Sequence, residues 1–335
     1  MGEISDHLYQ SLARRLLLIF LAWKTVLLLL AAFCPGPGYD TSGLILFNAS
    51  THRHVEFLSS SRLDRLTLNL FRWDALYFVK AAQRGYVHEQ EWAFSWAYSH
   101  ILNTVGQCKK TTSIVFPLYT DYNPDLSGNT EPSLRHYVWA GIALSNVCHL
   151  ISVLVLFRLL NVILGRQQSG RIPFVASVLH VMSPAALFLC SPYAEALFST
   201  ANFMGILQYV LARSTGRATR TWTIQQDAYM ISSGILFALA TLIRSNGLLS
   251  GLIYAYDVAS SLPHILSMHL TKAEARRLAI TCVAGILVAI GFVGPQYLAY
   301  KEYCVISSSN PVGRPWCDRT IPSVYSWVQG NYWQV

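Results

Sequence analysis

The chain has 335 residues, 53% of them hydrophobic and only 13% charged, and its mean hydropathy is +0.36. A soluble domain carries about 25% charged residues, so this composition leaves too little polar surface for a water-soluble globule and excludes an ordinary soluble enzyme or a disordered chain. The net charge of +8 raises nucleic acid as a partner, but the placement of the charges along the chain argues against it.

A membrane span needs roughly 20 mostly apolar residues. Seven segments read as spans: 16–33, 137–164, 172–189, 196–212, 228–243, a weaker 248–262, and 278–300. The first is long for a signal-peptide core and carries Lys24, so it reads as a retained anchor. A long loop over 34–136 separates the first two spans, and a polar, aromatic tail occupies 301–335. The expectation is one transmembrane domain over 1–335. With the N-terminus in the cytosol, the short cytosolic segments hold Arg14, Arg15, Arg166, Arg171, Arg213, Arg217, Arg220, Lys272, Arg276 and Arg277. The short turns on the other side hold Arg244 alone. That is the positive-inside pattern, so the basic excess marks topology and no nucleic-acid partner is expected.

The first loop contains a glycosylation sequon at Asn48, Ala49 and Ser50, on the side that the charge rule puts outside the cytosol. Cys34, Cys108, Cys304 and Cys317 fall on the same side. Cys304 and Cys317 either form a disulfide in an oxidising compartment or remain two thiols. The sequence has no zinc-ligand spacing, P-loop, GxGxxG or DxD pair in the first loop. Neither a cofactor nor a dedicated metal site is therefore expected.

The most informative stretch is RLDRLTLNLFRWDALYFVKAAQRGY, residues 62–86. It has no Pro, its first Gly is Gly85, and Leu63, Leu66, Leu70, Trp73 and Tyr77 recur at helical spacing. It predicts one interfacial helix, apolar nearly all round between 70 and 82, with Arg72, Asp74 and Lys80 as its charges there. Helical spacing surrounds Asp74 with Leu70, Phe71, Tyr77 and Phe78. Desolvation there would raise a carboxyl pKa toward the range of a general base. The other reading is an ion pair with Arg72 or Lys80.

Downstream, Glu89 and Glu91 are either a solvated loop or a site for acceptor hydroxyls or a cation. Residues 191–195 (SPYAE) form a tight turn with Pro192 fixing the bend and Glu195 at the membrane surface. RSNG at 244–247 breaks an apolar run at membrane level, which is tolerated only where the backbone lines a cavity or is buried in protein. Arg244 then either binds a phosphate in bidentate fashion or snorkels at a helix end. Lys24 lies near mid-membrane, with Asp257 as a candidate partner. A buried acid, nearby bases and aromatics on one side suit group transfer from a lipid-linked phosphate donor. A lipid or solute transporter is the rival class, and an inactive assembly subunit is a third.

RWDALYFV (72–79) followed by Gly85-Tyr86 and Glu89 to Phe94 resembles the signature of the PIG-V family, the second mannosyltransferase of glycosylphosphatidylinositol (GPI) assembly. SPYAEA (191–196), RSNG (244–247), RPWC (314–317), PSVYS (322–326) and Tyr332-Trp333 match further blocks in the same order. The resemblance is nearest to fungal members. It implies an all-α polytopic membrane protein of the GT-C type in the endoplasmic reticulum, with a large first lumenal loop. The implied reaction moves mannose from dolichyl-phosphate mannose to the first mannose of a GPI precursor, with inversion, forming an α-1,6 link. Asp74 matches the catalytic acid of the first lumenal loop. Arg72, Trp73, Lys80, Glu89, Glu91, Glu195, Arg244 and Asn246 are the expected substrate-binding residues. Partners would be the donor, the GPI acceptor, membrane lipid and a candidate small accessory subunit. Residues 95–112 match no family block and read as an insertion, and the chain stops where the family would continue into further spans.

Overall fold

The computed structural model describes residues 6–34, 40, 42–48, 62–107, 122–124, 130–165, 170–219, 222–267, 270–305 and 314–333. Helix α1 (Asp6–Phe33) is followed by α2 (Ser42–Asn48), α3 (Arg62–Leu70), α4 (Ala75–Arg84), a 3₁₀ turn at Glu89–Ala93 and α5 (Trp96–Gln107). A small antiparallel ladder pairs β1 (Tyr122–Pro124) with β2 (Thr130–Pro132). Then come α6 (Leu134–Leu164), α7 (Arg171–Val181), α8 (Glu195–Thr219), α9 (Ile224–Ile243), a 3₁₀ turn at Ser245–Gly251, α10 (Leu252–Ser260), α11 (Leu262–Leu266), α12 (Lys272–Tyr300) and α13 (Val324–Val328).

Apart from that ladder the regular structure of the described residues is helical. Among the described residues four helices are long and apolar enough to cross a membrane: His7–Phe33, Leu134–Leu164, Ile224–Ile243 and Lys272–Val305. The protein is a polytopic membrane protein. The other three expected spans differ in detail. The segment expected over 172–189 is helical only over Arg171–Val181 and continues as turns, because Ser183 precedes Pro184 and a residue before proline is pushed out of the helical region. The 196–212 segment lies within the 25-residue α8. The weak 248–262 segment is divided between the 3₁₀ turn and α10.

The expected helix over 62–86 is two helices. α3 stops at Leu70, and residues 71–74 form a turn before α4. Gly85 does end α4, with φ 78° and its N–H on the Ala81 carbonyl; that left-handed conformation is the one for which glycine is the default. Within the segment 95–112, which matches no family block, residues 96–107 are regular structure. These residues form α5, whose Tyr98 and Leu102 are fully buried, with Phe78 edge-on to Tyr98 at 5.2 Å. Residues 108–112 lie outside the described residues.

The chain divides into two compact units. The first comprises Met1–Leu16, Ile151–His180 and Leu197–Ser323. Its core is Ala212, Met230, Phe237, Tyr254, Ala284 and Val288. Helices α9 and α12 approach closely because small residues face each other: a Cβ on Gly291 would come within 2.6 Å of the Ala238 carbonyl oxygen. Two buried hydroxyls pair in series inside this unit. Tyr254 donates to Ser233 Oγ at 2.6 Å, and Ser233 donates to the Gly205 carbonyl at 2.8 Å.

The second unit comprises Leu17–Leu150, Val181–Ala196 and Val324–Val335. Its core gathers Leu68, Leu70, Phe71, Ala75, Phe78, Val79, Tyr98, Leu102, Tyr137 and Val138, all buried. Within it, α13 packs on the Glu89–Ala93 turn. The family-like motifs of the first loop and the SPYAE turn all belong to this unit.

Candidate active site

The turn between α3 and α4 is the unusual piece of backbone. Trp73 has φ 46°, the one positive φ outside glycine among the described residues. A bulky residue in that region costs of order 1–3 kcal/mol and persists only where the surroundings hold it. Here the surroundings are specific. The Asp40 carboxylate accepts from the Trp73 N–H at 3.2 Å and from the Ser42 hydroxyl at 2.9 Å. Arg72 reaches back, donating through Nη1 to the Asp40 carbonyl at 3.4 Å and through Nη2 to Asn69 Oδ1 at 2.6 Å. Asn69 in turn donates to the Ala31 carbonyl at 2.8 Å. From the SPYAE turn, the Tyr193 hydroxyl donates to the Arg72 carbonyl at 2.7 Å.

Asp74 sits at the end of this clamped turn, at the N-cap of α4. It makes no side-chain capping bond, and it is exposed. The expected desolvated carboxylate is therefore corrected. The helix break and the left-handed Trp73 turn Leu70, Phe71 and Phe78 into the core while Asp74 remains at the surface. Trp73 beside it is 48% exposed, with its ring 6.4 Å from that of Phe188. A carboxylate and an indole thus stand side by side where a polar, ring-shaped ligand can reach both.

Tyr193 also reports on the charges nearby. Burial pushes its phenol pKa up, and the carboxylates of Asp74, Glu195 and Asp40 push it further. Neutral phenol, the form that donates to the turn, is thereby favoured. Glu195 opens α8 in its first turn and is half-buried. Its charge also raises the buried Tyr98, though there burial is the larger cause. Asp74, Glu195, Arg72 and Trp73 therefore belong to one neighbourhood. Lys80 lies further along α4, half-buried.

The two downstream acids have partners within the same unit. Glu91, 3% exposed, takes the Arg84 guanidinium on Oε1 at 2.5 Å and the N–H groups of Val87 and His88 on Oε2 at 2.9 and 3.2 Å. Both oxygens hold the loop together. Glu89 Oε1 accepts from Trp327 Nε1 at 3.1 Å and from the Tyr332 hydroxyl at 3.4 Å, which ties the C-terminal aromatics to the first loop.

Arg244 and Asn246 belong to the other compact unit. The helix breaks there as expected: α9 ends at Ile243, Arg244 adopts an extended conformation, and the 3₁₀ turn follows. Asn246 is exposed and Arg244 half-buried. The suggested Lys24–Asp257 pairing is absent. Lys24 donates to the Leu189 carbonyl at 2.9 Å and to Cys190 Sγ at 3.2 Å. Asp257 pairs instead with Arg277 at 3.1 Å and Arg213 at 3.4 Å.

Cys304 and Cys317 are disulfide-bonded, which decides between the two readings left open above. Asn48 ends α2, and Ser50, which completes its sequon, lies outside the described residues. Among the described residues no three His, Cys, Asp or Glu side chains come together as a metal site. Sequence reasoning missed Asp40, Asn69 and Tyr193. Tyr193 had a signal, since it lies inside the SPYAE turn; Asp40, beside a Pro/Gly-rich stretch, had none.

A family model described as Mannosyltransferase (PIG-V) matches residues 13–335. The chain is 36% identical over 325 residues to GPI mannosyltransferase 2 of Aspergillus fumigatus, covering 96% of this chain and 62% of that protein. It is 37% identical over 347 residues to the protein of the same name from Chaetomium globosum, covering 100% of this chain and 70% of the relative. To GPI alpha-1,6-mannosyltransferase 2 of Cricetulus griseus it is 29% identical over 302 residues, covering 83% of this chain and 54% of the relative. The chain thus spans between about half and 70% of the length of these relatives. No solved structure matches it.

Proposed function

The chain belongs to the PIG-V mannosyltransferase family, and on that premise we propose that it transfers the second mannose of a GPI precursor from dolichyl-phosphate mannose, forming an α-1,6 link. The reading puts the reaction on the lumenal side of the endoplasmic reticulum, with the N-terminus cytosolic. The alternate-loop distribution of Lys and Arg supports that topology. In the same reading α7, α8 and the Ser245–Ser260 segment complete seven traverses of the bilayer.

Asp74 acts as general base. Its carboxylate takes the proton of the acceptor 6-hydroxyl as that oxygen attacks the anomeric carbon of the donor mannose from the face opposite the leaving phosphate. The bond from the anomeric carbon to dolichyl phosphate breaks, and the anomeric configuration inverts. A base that an acceptor sugar must reach is better exposed than buried, and binding of the lipid-linked substrates supplies the water-poor setting. Trp73 offers a face for a sugar ring. Arg244 is the proposed cation for the departing phosphate, a task guanidinium geometry suits. Glu195, Arg72, Lys80 and Glu89 are the proposed substrate-binding side chains of the unit that holds Asp74, and Asn246 is a further proposed substrate-binding residue, from the RSNG segment. A small accessory membrane subunit completes the proposed partners.

The observation that carries this reading is the exposed Asp74 on a strained turn held by side chains from distant parts of the chain. Complementation of cells lacking the second GPI mannosyltransferase tests it. Wild type should restore growth and clear the one-mannose precursor, and Asp74→Asn, inserted at equal level, should not. Equal rescue by both would remove Asp74 from the mechanism. Failure of both chains, with accumulation of a different precursor, would point to the transporter or assembly-subunit reading.

A further inference from the structure

We infer that Asp40 and Tyr193 are positioning residues for Asp74, holding the Phe71–Asp74 turn in the conformation that aims the base; this rests on the reading of Asp74 given above. The two bonds approach the turn from different places. The Asp40 carboxylate binds the N–H of the one positive-φ residue outside glycine among the described residues, Trp73, at 3.2 Å. The Tyr193 hydroxyl binds the carbonyl just before it, on Arg72, at 2.7 Å. Neither contact touches the Asp74 carboxylate, so neither is explained by proton transfer. Nor is either needed to cap a helix. The Arg72 carbonyl already accepts from the Ala75 N–H at 3.0 Å, so losing the phenol leaves no orphaned acceptor. What the bonds do is oppose relaxation of Trp73 into an ordinary negative-φ conformation, which would swing the residue that follows it. Arg72 makes the clamp reciprocal, because its guanidinium holds the Asp40 carbonyl.

A misplacement of about 1 Å costs a reaction of this kind up to roughly a hundredfold without weakening ground-state binding to match. The effect should therefore fall on kcat. Asp40 offers a direct discrimination. Asparagine keeps an acceptor oxygen for the Trp73 N–H but removes the charge.

The experiment measures transfer from radiolabelled dolichyl-phosphate mannose to the one-mannose GPI acceptor in microsomes containing the chain. Rates are normalised to inserted, protease-resistant protein. Tyr193→Phe, which keeps the ring between Phe78 and Phe188, should lower kcat roughly tenfold with both KM values within about twofold. Asp40→Ala should lower kcat by roughly ten- to a hundredfold, and Asp40→Asn should recover most of it. Added to Asp74→Asn, neither change should cost anything more, since residues acting as a unit are not additive.

Asp40→Asn as damaging as Asp40→Ala would overturn the inference, because the charge itself would then be at work. Losses confined to KM, or full activity in Tyr193→Phe and Asp40→Ala while Asp74→Asn is inactive, would also overturn it and leave the base assignment standing. Wild-type activity in Asp74→Asn alone would instead remove the base assignment, and the positioning of that base with it.

Discussion

The carboxylates of Asp257 and Asp74, one from each compact unit, are handled in opposite ways. Asp257, in α10, is 2% exposed and sits between the guanidinium groups of Arg213 and Arg277. Ser261 joins the same cluster, accepting from Arg277 at 2.7 Å. Its backbone is ordinary helix. Asp74 is exposed, follows a strained residue and makes no capping bond. The structure buries one acid among arginines and leaves the other exposed at the surface while fixing the backbone beneath it. Burial of a charge, taken alone, is thus a poor guide to function here: a deeply buried carboxylate must be compensated to exist at all, and compensation removes it from chemistry. On the proposed assignment of Asp74, strain held in place beside an exposed group is the better guide.

Exchanging each acid for its amide tests the contrast most sharply. Asp74→Asn should reduce transfer by roughly a hundred- to ten-thousand-fold and leave the melting temperature of the detergent-solubilised protein unchanged. Asp257→Asn should do the reverse, costing about 3 kcal/mol of stability by leaving two arginines without their shared partner, with kcat per folded molecule retained. If Asp257→Asn kept its melting temperature and lost kcat, the contrast between the two regions would collapse.

A comparable stability loss is expected from the disulfide in the Asp257-containing unit. Replacing Cys304 and Cys317 together by Ser opens a loop of sequence separation 13 and should cost about 3 kcal/mol. Thermal unfolding with and without reductant reads this directly: reductant should lower the wild-type melting temperature and leave that of the double variant unmoved. The smallest effect belongs to the turn itself. Trp73→Gly removes the steric cost of φ 46° and should stabilise the fold by about 1 kcal/mol, yet lower transfer because the turn gains freedom and the indole is lost. A variant that is both less stable and fully active would show that the strain has no part in the reaction.

Much of the molecule was legible because it follows from local chemistry. Apolar length and the Lys/Arg distribution identify a membrane protein, since the bilayer imposes a fixed thickness and admits few charges. Gly85 ends a helix where a left-handed residue is needed, and the run at Arg244 breaks where the composition changes. The ordered blocks RWDALYFV, SPYAEA and RSNG reveal the family. Other features were not legible. Every residue of 62–84 is compatible with helix, so nothing local announces the break at 71–74, and with a continuous helix assumed, Asp74 was expected among apolar neighbours. Glu91 gave the same trouble, because its engagement by Arg84 and two backbone N–H groups depends on how a loop folds back.

The sequence by itself determined the solvent in which this chain lives, the family to which it belongs and the acid on which its chemistry is proposed to turn. Those follow from composition, periodicity and short motifs, which are local quantities. Only the tertiary structure decided how that acid is presented. The bonds that hold Trp73 in a left-handed conformation come from Asp40, 33 residues away, and, through Arg72, from Tyr193, 121 residues away. A backbone conformation disfavoured by its own residue can be stabilised only by groups outside its local segment, so it becomes visible only once the fold has brought them together.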